Sequence, residues 1–78
     1  MTSQTPVVDI ANNTVTFAGA TYTVQALGGD AFVVLLAGVP VGRLVYTFGS
    51  ANGVPEGESV SEDDLTAIAE AWFAALDA

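Results

Sequence analysis

The chain has 78 residues, enough for one domain and near the lower limit for a core that holds itself together. Nine carboxylates face one cationic side chain, Arg43, for a net charge of −8, and there is no lysine, histidine or cysteine. Those absences exclude disulfides, thiolate metal sites and histidine chemistry. The charge repels phosphate backbones and anionic lipid, so neither direct nucleic-acid binding nor membrane binding is expected.

A hydrophobic content of 51% argues for a folded domain despite the charge. The first ten residues, MTSQTPVVDI, show no basic segment followed by an apolar run, the mark of a signal peptide. The longest uncharged, mostly apolar stretch, Ala31–Gly42, is well short of the ~20 residues a spanning helix needs. With no cysteine, the expectation is a cytoplasmic protein.

Residues 1–5 are polar and expected to fray. Pro6 opens a short strand carrying Val7, Val8 and Ile10, and its missing amide donor places that strand at a sheet edge. Asn12-Asn13 suits a tight turn. Thr14–Phe17 alternates Val15 and Phe17 against two threonines, and Thr21–Leu27 alternates Tyr22, Val24 and Ala26 against Thr21, Thr23 and Gln25. Both read as half-buried strands, joined through Ala18-Gly19-Ala20 and followed by a Gly28-Gly29-Asp30 turn.

The stretch Ala31–Phe48 is the centre of the sheet: two apolar runs, Ala31–Ala37 and Val41–Phe48, flank Gly38-Val39-Pro40. Here alternation fails. Phe32, Val34 and Leu36 share one face, yet Val33 and Leu35 fill the other; Leu44, Tyr46 and Phe48 oppose Val41, Arg43, Val45 and Thr47. Apolar residues on both faces call for burial on both, and one helix covers only one. Either curvature tucks Val33, Leu35 and Val45 into a partial barrel, or they form a subunit interface; the second is preferred.

Residues 49–60, GSANGVPEGESV, read as a mobile acidic Gly/Pro loop. Ser61 is a good helix N-cap, and Glu62, Asp63 and Asp64 fall at the positive end of the helix dipole. Leu65, Ile68, Ala69, Trp72, Phe73 and Leu76 recur at the spacing of one buried helical face, with Trp72 at its centre. The expected fold is therefore α+β: a four- or five-stranded antiparallel β-meander covered on one face by a single C-terminal helix, forming one domain over residues 1–78.

No constellation carries chemistry. The serines, Ser3, Ser50, Ser59 and Ser61, have no lysine or histidine to activate them, and no glycine-rich loop has phosphate-cradling spacing. Glu56, Glu58, Glu62, Asp63 and Asp64 are the one group that could support acid–base chemistry or a weakly held divalent cation. Their spacing does not match an EF-hand loop, and they read as a solvated acidic rim. No catalytic residue, cofactor or metal is expected.

Arg43, alone in an apolar strand, is expected to pair with a carboxylate within the fold or across a dimer, an anion site being the alternative. The chain thus reads as a small, acidic, non-enzymatic interaction or assembly module whose partner is a protein, above all a second copy of itself. Val33, Leu35, Arg43, Val45, Glu56, Glu58, Glu62 and Asp63 are the candidate partner-facing residues. The alternative is an acidic inhibitor or nucleic-acid mimic, of the kind phages and mobile elements encode, bound to a basic groove on another protein.

Overall fold

The computed structural model describes residues 5–77. Its elements in chain order are β1 (Val7–Asp9), β2 (Thr14–Phe17), β3 (Ala20–Gly28), β4 (Ala31–Leu36), β5 (Val39–Thr47), β6 (Ser50–Pro55) and α1 (Glu62–Asp77). The strands pair in sequence order as one antiparallel meander, and the sheet curls into a half-barrel around the helix, which touches β1 and β2 at one end and β5 and β6 at the other. This is the α+β architecture expected, with six strands rather than four or five. Of residues 1–5, expected to fray, residues 1–4 lie outside the described residues; Thr5 is exposed and precedes the first strand.

Three connections are two-residue turns in which both residues have positive φ: Ala18-Gly19, Ala37-Gly38 and Phe48-Gly49. That geometry matches the twist of antiparallel strands, so each turn locks the register of its flanking pair, Phe17 with Ala20, Leu36 with Val39 and Thr47 with Ser50. At the β1–β2 turn, the Asp9 carboxylate accepts hydrogen bonds from the Asn12 amide at 3.3 Å and from its side-chain nitrogen at 2.8 Å.

The sixth strand corrects the expectation of a loop over residues 49–60. Ser50–Pro55 pairs with β5 from Thr47↔Ser50 to Gly42↔Pro55, so only the stretch after Pro55 is irregular. Its Ser, Asn, Gly and Pro residues are poor strand formers, but the turn at Phe48-Gly49 delivers the chain back along β5 regardless. Gly53 also has a specific task, because α1 crosses directly over it: a Cβ there would lie 2.5 Å from Leu65 Cβ and 2.6 Å from the Thr66 nitrogen.

One bulge redirects a side chain. Val34 pairs with Gly42 and Leu35 with Pro40, which leaves Val41 as an extra residue. The sequence pattern sets Val41 beside Arg43 and Val45, whereas the bulge turns it into the core; its carbonyl accepts a hydrogen bond from the Glu56 amide at 3.0 Å.

The core comprises Val15, Tyr22, Val24, Val34, Val41, Leu44, Val60, Leu65, Ile68, Ala69 and Trp72, all buried. Trp72 is the largest of them, as the helical spacing predicts. The Asp64 amide donates to Ser61 Oγ at 3.2 Å, which establishes the cap, and Val60 and Leu65, on either side of it, hold the staple positions. Leu76, placed by periodicity on the buried face, is exposed in the last turn of the helix.

Candidate interaction surface

Strand register sorts the side chains into two faces. Phe32, Val34, Leu44 and Ala51 pack inward with the core, while the intervening residues point to the convex outer side of the sheet. Across β3 to β6, one outer row runs Gln25, Val33, Arg43, Val54. Beside it stand Leu35, paired with Thr23 and Pro40, and Val45, paired with Ala31 and Asn52. Curling does occur, yet Val33, Leu35 and Val45 lie on its outer side, half-buried by their neighbours rather than enclosed. Val54, which the sequence pattern missed by assigning it to a loop, joins them as an exposed residue.

Arg43 sits inside this apolar group. Its Nε donates to Glu56 Oε2 at 3.2 Å, with both side chains substantially exposed. The pair neutralises the only charge within the patch. Glu58, Glu62 and Asp63 are not part of it: Glu58 lies in the segment before the helix, and Glu62 and Asp63 in the first helical turn, all exposed. The eight residues singled out by sequence therefore divide into a patch with one ion pair and a separate acidic rim. Among the described residues, no three carboxylates converge into a group that could hold a metal ion. No helix among them is long and apolar enough to cross a membrane.

A second surface lies on the helix side, one that no local sequence pattern marks. The C-terminal half of α1, the β3–β4 turn and the β5–β6 hairpin enclose an open groove of about 940 Å³. Phe32, Tyr46 and Phe73 line it, with Asp30, Glu70 and Asp77 also on its wall. The rings are in register: Phe32 meets Phe73 edge-on at 5.5 Å between centroids, and Phe73 meets Tyr46 at 5.2 Å. At the same end, Phe48 is wholly exposed and holds φ 52, a conformation that disfavours bulky side chains.

No protein-family model, curated protein or solved structure matches the chain.

Proposed function

We propose that the protein is a non-enzymatic assembly module that self-associates through the outer face of its sheet. The observation that carries this is the distribution of charge. On a chain of net charge −8, the patch of Val33, Leu35, Val45 and Val54 holds one charged residue, Arg43, already paired with Glu56. The helix and the segment before it carry Glu58, Glu62, Asp63, Asp64, Glu70 and Asp77. Two copies meeting through the outer face bury apolar area while keeping their acidic sides apart; every approach through the helix side brings like charges together.

A two-fold axis near Arg43 would set this same apolar patch against itself, the arrangement of a symmetric dimer. The test is sedimentation equilibrium of the native chain beside Val54→Glu, which places a carboxylate in the patch without touching the core. Dimer in the first and monomer in the second supports the proposal; identical behaviour of the two sinks it.

A further inference from the structure

We propose that the groove between the C-terminal half of α1 and the β5–β6 hairpin receives a lysine- or arginine-bearing segment of a partner protein. The proposal does not depend on self-association, since this groove lies on the opposite side of the sheet.

Three features define the occupant. The floor is aromatic, with Phe73 in ring contact with both Phe32 and Tyr46 and with Tyr46 partly open to solvent, which offers aromatic surface to a cation. The wall is anionic, with Asp30 from the β3–β4 turn and Glu70 and Asp77 from the helix. Among the described residues none of these carboxylates has an ion-pair partner, because the single arginine is engaged with Glu56 on the far face.

The third feature is the helix end. The last turn of α1 has no basic residue and carries Asp77, although the partial negative charge of a helix C-terminus favours a cation there. The free chain therefore concentrates negative potential at one end of an aromatic groove. A guanidinium or ammonium from outside answers all three features, and an open groove of this volume admits a peptide segment. Phe48, projecting from the adjacent turn, offers that segment an apolar contact beyond the groove.

The experiment is an NMR titration of the isotope-labelled chain with an acetylated, amidated Gly-Arg-Gly-Lys-Gly-Arg-Gly peptide, and with the same peptide carrying citrulline and norleucine in place of the cations. The expected result is amide shifts confined to the groove, at Asp30, Ala51, Glu70 and Phe73, with none from the neutral peptide. Tyr46→Leu, which keeps bulk and removes the π face, should weaken binding by about tenfold, and Asp77→Lys should weaken it at least as much. Asp77→Lys should also raise the thermal midpoint of the free chain, which separates lost binding from lost folding.

Shifts spread equally over Glu58 and Glu62–Asp64 would overturn the proposal, as would binding unchanged in both variants. Spermidine displacing the peptide at lower concentration would overturn a peptide as occupant. Repeating the titration in Val54→Glu keeps the two surfaces distinct: the outer face can fail as an interface while the groove still binds.

Discussion

Leu65 sits on Gly53 so closely that no side chain fits between them. A Cβ at Gly53 would lie 2.5 Å from Leu65 Cβ and 2.6 Å from the Thr66 nitrogen, and one at Gly42 would lie 2.5 Å from Leu65 Cδ1. The two glycines form the seat on which the helix rests against β5 and β6, but they differ in what they would strike. At Gly53 the obstacle includes helix backbone; at Gly42 it is mainly the far end of one side chain.

Gly53→Ala should accordingly destabilise by about 3 kcal/mol or more, since the helix itself must move. Gly42→Ala should cost less in a Leu65→Ala background than in the native chain, whereas the cost of Gly53→Ala should hardly change. Urea denaturation of the two double-mutant cycles checks this. Equal coupling in both cycles would mean that the glycines do not play separate roles.

Phe48→Asn should stabilise the fold by about 0.5–1 kcal/mol, because asparagine tolerates positive φ better than a bulky ring does. Nothing is lost in packing, as the ring is wholly exposed. The shift in the urea midpoint measures it. A destabilised variant would show that the ring contributes to the folded monomer.

Ser61→Ala removes the acceptor of the Asp64 amide and should cost about 1 kcal/mol. Far-ultraviolet circular dichroism through a thermal melt should show the same helix content at low temperature and an earlier midpoint.

Arg43→Leu should change monomer stability by less than about 1 kcal/mol, since an exposed ion pair contributes little. It should also weaken self-association, because Glu56 is left as an unpaired carboxylate beside the patch in both copies. A large loss of stability with no change in association would assign Arg43 to the fold alone.

Much of this fold is legible in the residues. Pro6 with Val7 and Val8, alternation in Thr14–Phe17 and Thr21–Leu27, the apolar pair of runs across Ala31–Phe48 and the cap at Ser61 specify five strands and the helix, because each is a local pattern with a local cause. The sixth strand is not, since Ser50–Pro55 has the composition of a loop and is held by the turn before it and the helix above it. A signal was present all the same: Phe48-Gly49 repeats the residue-then-glycine form of Ala18-Gly19 and Ala37-Gly38, both hairpin turns.

The outer patch was half legible. Failed alternation marked Val33, Leu35 and Val45, and Arg43 found the carboxylate its isolation demanded, but Val54 was hidden with its strand. The groove was not legible at all. Asp30, Tyr46, Glu70 and Phe73 come from three separate elements, and only curling of the sheet around the helix brings them together. Val41 shows the same limit on a smaller scale, since a single extra residue against β4 moves it from one face to the other.

Sedimentation equilibrium of the native chain, over a range of concentrations in low and high salt, tests self-association through the outer sheet face most directly. The expected result is a dimer that persists or tightens as salt rises, because the contact is apolar and salt screens the repulsion between two acidic copies. A chain that stays monomeric at every concentration and salt level would contradict it.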